Sequence, residues 1–557
     1  MPSTPTTKSQ VQAYQFVLRR MQSALVRKDA VMLHDPMRTH SRATIVGVVL
    51  SMLGLLGFVI WGFIKPAPTP PKAGIVIGEQ SGEVYVKTEN PSYLIPTFNL
   101  ASARLLLMAQ QEQQQQQGQG GQQAGSAPPA QAAQTEVKPA TVVPDDQLKD
   151  IPRKRMQGIV DAPQLLPTKE QRIADHWAVC DNIISDANLP TEERRRQARR
   201  ETAVLAGVDS LGTQGMGREL QPNEAVLVRG DNQEIYLIYR LIGNVNQPNA
   251  SAVKAKIDGR NGIVQSTLGL GDEYRQASMG LLNAIPEVDP LRPIEIPNAG
   301  NPSQFNIDGL PIGSVFKTQS SSGQLQFWAI LQDGVQEISE LTGDLIRNGN
   351  QVPGRETVTT VSPDRLNNVQ RILPGMPQYL KVDEFPKTKP TILDSFSSDT
   401  PVTCLGWQVR GEGANRDGHT AIFVSNEIPF PKDKQGNRYQ PVDIGQANPD
   451  ATTRVDKFYM PYGRAAFIRA AQSKESFDTG QMSIVSDRGM RYGVPDMRIA
   501  QGLGLEAPTP APELIIGLLP TGSSLNTRDV LRTYDSVQID PNSGSFPTSS
   551  AAPAPPG

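Results

Sequence analysis

Ala43-TIVGVVLSMLGLLGFVIWGF-Ile64 contains no Asp, Glu, Lys, Arg or His, and no other stretch of the chain is like it. At about 1.5 Å of rise per residue, a helix over this run measures roughly 33 Å, enough to cross the hydrocarbon core of a bilayer. Trp61 and Phe63 stand near its far end, where aromatic rings favour the membrane–water boundary. A buried helix of a soluble domain rarely runs so long without a polar face, and this one has none. The reading is a single transmembrane helix over residues 43–64.

Charge orients it. Residues 1–42 carry Lys8, Arg19, Arg20, Arg27, Lys28, Arg38 and Arg42 against Asp29 and Asp35, whereas only Lys65 and Lys72 follow closely behind the helix. The positive-inside bias places this arm in the cytoplasm and exports the remainder. A cleavable signal fits poorly, because the apolar run is long, starts late and leads into Lys65-Pro66. Within the arm, residues 9–28 predict a helix, with Val11, Tyr14, Leu18, Met21 and Leu25 on one 3-4-3-4 stripe. Arg19, Arg20, Arg27 and Lys28 fall on other faces, suiting either an anionic leaflet or a docking partner. Pro36 is expected to interrupt the helix before the membrane.

Past the membrane, residues 65–74 form a Pro-rich spacer and residues 75–540 an exported domain. Residues 110–134, nearly all Gln, Gly and Ala, and the Ser/Pro/Ala tail 541–557 cannot bury a core and are expected to be disordered. The 557-residue chain has a formal net charge of −2 and 20% charged residues, which gives no bias toward nucleic acid. Its two cysteines, Cys180 and Cys404, both lie on the exported side. An oxidising compartment makes them a candidate disulfide; a reducing one would leave two buried thiols. The arginine run Arg194, Arg195, Arg196, Arg199, Arg200 reads first as a solvated helix face and second as a surface for an anionic partner.

An internal rhyme organises the exported part. Residues 226–238 alternate around Arg229-Gly230-Asp231-Asn232, residues 327–338 around Asp333-Gly334, and residues 482–494 around Asp487-Arg488-Gly489. Residues 84–95 are a looser version. These are hairpin signatures. Caps and helical stretches follow at Asn99, Ser339 and Asp496, and aliphatic-Pro steps at Ile151-Pro152, Ile285-Pro286, Leu373-Pro374 and Leu519-Pro520. The expected fold is α+β: four hairpin-plus-helix repeats around a central β-sheet drawn from residues 401–424 and 456–471, in an elongated body.

Catalytic motifs are scarce. The dipeptide Gly-Lys never occurs, which removes the P-loop, and no Gly-x-Ser-x-Gly, His-Glu-x-x-His or Cys-x-x-Cys spacing is present. Asp417-Gly418-His419 reads as a turn, and Gly502-Leu-Gly-Leu505 as a helix C-cap. No catalytic, cofactor or metal residue is assigned.

Several motifs, in order along nearly the whole chain, resemble the EccB family of type VII (ESX) secretion systems. The strongest is Gln10-Val11-x-x-Tyr14-x-Phe16-x-x-Arg19-Arg20-Met21-x-x-Ala24-Leu25-Val26-Arg27, leading to Asp35-Pro36-x-Arg38. Others are Asn99-Leu-Ala-Ser-Ala-Arg-Leu105, Pro297-Asn-Ala-Gly300, Gln332-Asp-Gly-Val-Gln336, Arg491-Tyr-Gly-Val-Pro495 and Leu518-Leu-Pro-x-Gly-x-x-Leu525. Gly158-Ile-Val-Asp-Ala-Pro163 departs from the family's usual Gly-Ile-Pro-Gly-Ala-Pro. The resemblance implies four peripheral repeats, a central sheet and a disulfide between Cys180 and Cys404. It also implies an inner-membrane location, with EccC, EccD, EccE, a mycosin protease and other EccB copies as partners. The arm residues Val11, Tyr14, Leu18, Arg19, Arg20, Met21 and Leu25 become the expected docking surface. A structural core component of the secretion complex is the leading function. The alternatives are an ATP-hydrolysing enzyme, with ATP as its only cofactor, and a peptidoglycan-binding anchor.

Overall fold

The computed structural model describes residues 7–28, 36–64, 69–118 and 139–533, except 174–175, 187, 209–214, 242–251, 260–261, 272–273, 351, 353–356, 395, 397–398, 433–434, 436 and 445–454. Part of the spacer, the later Gln-rich residues and the C-terminal tail therefore lie outside the described residues. Two compact units are distinguished, residues 1–70 with 142–148 and residues 71–141 with 149–557.

The first unit holds two helices. Lys8–Arg27 starts at a Thr7/Gln10 capping box and ends with Lys28 in the left-handed conformation. The second, Pro36–Ile64, begins earlier than the apolar run and starts on the proline itself. Pro36 thus opens a helix, because a first-turn residue needs no N–H and its fixed φ suits the helix. Its stretch Arg42–Gly62 is long and apolar enough to cross a membrane, and none of it is buried.

Four small sheets and one large one make up the second unit. Each small sheet opens as a three-stranded antiparallel meander: Gly74–Gly78, Val84–Lys87 and Leu94–Thr97; Glu224–Gly230, Ile235–Arg240 and Ala252–Ile257; Val315–Gln319, Leu325–Ile330 and Val335–Ile338; Ala465–Ala471, Met482–Ser486 and Arg491–Val494. A helix follows each, namely Leu100–Gly118, Ile263–Leu268, Glu340–Asn350 and Met497–Gly502. The first of these runs on into the glutamines expected to be disordered, consistent with the fair helix propensity of Gln. Three caps form as the sequence indicates. Asn99 Oδ1 accepts from Ser102 N at 2.8 Å, Ser339 Oγ from Thr342 N at 3.2 Å, and Asp496 Oδ1 from Ile499 N at 2.8 Å.

Two returns complete the pattern. In the last three small sheets a strand comes back parallel to the first strand: Arg275–Ala277, Thr359–Thr360 and Thr509–Pro512. A later segment then lies along the third strand. Leu94 N donates to Pro152 O at 2.8 Å, Lys254 N to Pro286 O at 2.9 Å, and Arg491 N to Pro520 O at 2.9 Å. Proline has no N–H to offer, so it suits a segment that needs only its carbonyl here. In the third sheet the acceptor is Gln370 O, reached by Val335 N at 2.8 Å, so Leu373-Pro374 is not the equivalent step.

The large sheet has seven strands in the order Val442–Asp443, Lys457–Tyr459, Arg199–Ala206, Trp177–Ile184, Val402–Arg410, Asp417–Ser425, Arg218–Glu219. Residues 401–424 enter it as expected. Of residues 456–471 only Lys457–Tyr459 does, because the chain turns at Pro461–Gly463, where Gly463 has φ +69°, and Ala465–Ala471 opens the fourth small sheet. The sheet's middle, Trp177–Ile184 and Arg199–Ala206, was not anticipated. Asp417-Gly418-His419 is the start of a strand opposite Val402–Arg410, not a turn.

Three cores are shared between sheets. One face of the large sheet (Val179, Val204, Leu405, Ile422) packs with Val226 and Ile238 of the second small sheet and Ile468 and Val485 of the fourth. The second small sheet turns its other face to the third, through Leu227 and Leu237 against Val315 and Leu345. The first shares a core with the fourth, through Val86 and Leu105 against Phe467 and Ile484. Gly334 is kept small by packing, since a Cβ there would strike the Gln370 carbonyl. Gly334→Ala is expected to push that return segment off Val335 and cost about 1–3 kcal/mol, read as a lower thermal midpoint with the secondary-structure signal retained.

Candidate functional site

The arm helix presents its stripe outward: within the chain Tyr14 is 67% exposed, Met21 53% and Leu25 81%, with Val11 and Leu18 also open. Among the described residues nothing covers these side chains, so burial of the stripe requires another surface.

In the second unit a buried polar construction lies where the large sheet joins the second small one. Cys180 and Cys404 are directly opposed on neighbouring antiparallel strands, with Cα atoms 4.0 Å apart and their sulfurs bonded. Ile183 N donates to Pro401 O, so alternate pairs are the hydrogen-bonded ones. Cys180 and Cys404 are therefore a non-hydrogen-bonded pair, where strands bring side chains closest. The disulfide faces Ala203, Leu205 and Phe423.

The opposite face of the same strands carries a buried row, Thr202, Asp181 and Thr403, set side by side by the register. Asp181 accepts from Thr202 Oγ1 at 2.8 Å, from Ser278 Oγ at 2.9 Å and from Ser278 N at 2.6 Å. Ser278 also caps helix Met279–Ala284, accepting from Leu281 N at 3.0 Å. Arg275 donates to Thr403 Oγ1 at 2.6 Å and to Asp394 O at 3.1 Å. Burial pushes the Asp181 carboxyl above its ordinary range, against the pull of its hydrogen bonds and of Arg200. Burial likewise pulls the Arg275 guanidinium down to about 10. Every donor here comes from a residue that also builds a strand or a cap, so the row works as a fastener between sheets. Sequence reading missed it. The signal was Asp181 in register with Trp177, Val179 and Ile183 on an otherwise apolar face.

Beside this row the arginine run divides. Helix Thr191–Gln197 carries Arg194, Arg195 and Arg196, but Arg199 and Arg200 open strand Arg199–Ala206, so the run is not one helix face. Arg195 pairs with Glu192 at 3.1 Å, and Arg200 grips Asp231 with two bonds of 2.7 and 3.2 Å. A cleft of about 440 Å³ opens between this helix, the end of strand Glu224–Gly230 and residues 274–276.

The remaining motifs are structural. Gly502-Leu-Gly-Leu505 closes its helix with Leu505 N bonded to Ala500 O and Gly504 N to Gln501 O, Gly504 being left-handed at φ +78°. Asp161, the departure in Gly158-Ile-Val-Asp-Ala-Pro163, accepts from Ser523 N at 2.9 Å and Ser523 Oγ at 2.6 Å, tying this loop to the return segment of the fourth small sheet. Among the described residues no cluster of three or more His, Cys, Asp or Glu is placed to hold a metal.

A family model described as "Type VII secretion system ESX-1, transport TM domain B" matches residues 3–539. The ESX-1 secretion system ATPase EccB1 of Mycolicibacterium smegmatis is 27% identical over 540 residues, covering 96% of this chain and 97% of its own. The ESX-3 secretion system ATPase EccB3 of Mycobacterium tuberculosis is 27% identical over 556 residues, covering 96% and 90%. A chain from the intact ESX-5 inner membrane complex is similar with a TM-score of 0.64 at 25% identity over 99% of both chains. The EccB3 dimer of the ESX-3 core complex shares the fold at a TM-score of 0.61 and 22% identity, over 83% of this chain and 100% of that one.

Removing the fastener tests its weight. Asp181→Ala leaves Ser278 N, Ser278 Oγ and Thr202 Oγ1 without their buried acceptor and is expected to cost about 3 kcal/mol in denaturant unfolding. An unchanged midpoint would assign the joint to apolar packing alone.

Proposed function

The chain belongs to the EccB family of type VII secretion membrane components, and we propose that it serves as a structural, membrane-anchored core component of an ESX inner-membrane complex. The observation that carries this reading is the match, over 99% of both chains, to a chain of an intact ESX-5 inner membrane complex. In this reading residues 43–64 cross the inner membrane, residues 1–42 stay in the cytoplasm and residues 75–540 build the periplasmic part. The basic arm and the exported disulfide support that orientation. A matched chain also comes from a periplasmic assembly of the ESX-5 complex.

We further infer that the four small sheets are diverged copies of one unit. The shared order of meander, helix and return along the third strand supports this. Other EccB copies are expected partners, in keeping with the EccB3 dimer. EccC, EccD, EccE and a mycosin protease are expected through the family, with the stripe of Val11, Tyr14, Leu18, Met21 and Leu25, flanked by Arg19 and Arg20, docking on a cytoplasmic component. Peptidoglycan binding by the repeats is compatible with this role and rests on fold analogy.

ATP hydrolysis is the competing reading, since the curated relatives are named ATPases. Phosphoryl transfer needs a phosphate cradle, a cation on the outer phosphates and a held Mg²⁺, and this sequence has no Gly-Lys step to begin one. Purified full-length protein is expected to show no Mg²⁺-dependent turnover above background. Turnover that follows the protein through gel filtration and vanishes with a point mutation would replace the structural reading.

Docking is tested separately. Leu18→Glu and Met21→Glu are expected to reduce co-purification of the other membrane components while the chain still inserts. The stripe covers no core of its own, so a charge there disturbs a partner rather than a fold. Full co-purification by both variants would remove the arm from assembly.

A further inference from the structure

The cleft beside helix Thr191–Gln197 holds more positive charge than the described residues neutralise. We propose that it is a binding site for a small multivalent phosphate-type oxyanion, of which pyrophosphate is the simplest. Six guanidinium groups line it, with Glu192 and Asp231. Both carboxylates are already taken, Glu192 by Arg195 and Asp231 by Arg200. Among the described residues no carboxylate stands within ion-pair distance of Arg196, Arg199, Arg229 or Arg275.

These four differ in how they are held. Arg196 and Arg199 are exposed at the rim. Arg229 stacks on the Tyr274 ring at 4.3 Å from its centre, which holds the planar group in one orientation at the wall. Arg275 lines the floor and is 2% exposed. Its Nη atoms are bonded to a hydroxyl and a backbone carbonyl, both neutral, and its Nε is buried with no acceptor. Asp181 and Asp394 act on it only at longer range.

A guanidinium taken out of water against neutral acceptors, with its carboxylates beyond ion-pair distance, is only partly compensated, and an anion beside it supplies what is missing. Guanidinium groups match the oxygens of phosphate in paired hydrogen bonds. Several converging on one small cleft favour a dense polyanion over a single-charge group. Cleavage plays no part in the proposal; the ligand is held, not transformed.

The test is calorimetric titration of the full-length protein in detergent, in EDTA and at constant ionic strength. The probes are pyrophosphate and glycerophosphoglycerol, whose lone phosphodiester represents a lipid headgroup. Saturable binding of pyrophosphate is expected, with the diester weaker by at least about tenfold. Arg196→Gln/Arg199→Gln is expected to lose about tenfold or more in affinity with an unchanged melting temperature, because neither side chain packs or pairs in the fold. Arg229→Gln should weaken binding as well, whereas Arg365→Gln, outside the cleft, should not. Absence of saturable pyrophosphate binding, or equal affinity in the double variant, would overturn the site. Equal affinity for the diester would overturn the assignment to a free multivalent oxyanion in favour of a headgroup.

Discussion

The second compact unit depends on the pairing of Trp177–Ile184 with Val402–Arg410. The two strands come from distant stretches of chain, and the cysteines that link them are 224 residues apart. Bringing such segments together costs loop-closure entropy before any contact rewards it. A covalent link across that separation removes roughly 4–5 kcal/mol of this cost on the chain-entropy model. The register then sets Asp181 between Thr202 and Thr403 on one face and Cys180 opposite Cys404 on the other. One pairing thus builds both the disulfide and the polar fastener.

The small sheets need that frame because none is a domain in its own right. A three-stranded meander with one helix buries too little apolar surface to stand alone. Here each leans on a neighbour: the first on the fourth, the third on the second, and the second and fourth on the large sheet. The order of packing differs from the order along the chain, since sheets at opposite ends of the sequence share a core. This continuity suits a component that holds a position within a larger assembly.

Charge is handled in two ways in the same region. Asp181 is fully engaged by three hydrogen bonds, as a buried carboxylate must be, and joins two layers. The arginines nearby are only partly answered by carboxylates, and the surplus faces a cleft. The two meet at Arg275, which bonds Thr403 of the buried row and lines the cleft.

Much of this molecule was legible along the chain. The apolar run, the basic arm, the hairpin turns and the caps at Asn99, Ser339 and Asp496 depend on neighbours within a few residues, where periodicity and side-chain chemistry act directly. The three caps formed as read, the long apolar helix begins earlier than the apolar run, and family motifs spread over the whole length pointed to the secretion complex. Local signals failed where two readings were equally good nearby. Residues 465–471 were assigned to the wrong sheet, Leu373-Pro374 mimicked a return that Gln370 makes, and Asp417-Gly418-His419 proved to be strand. What only the tertiary structure decided was partnership across distance: which strands form the large sheet, which lobes share cores, and why Asp181 and Arg275 are buried together. Those choices depend on burial and register between segments hundreds of residues apart, which no local pattern encodes.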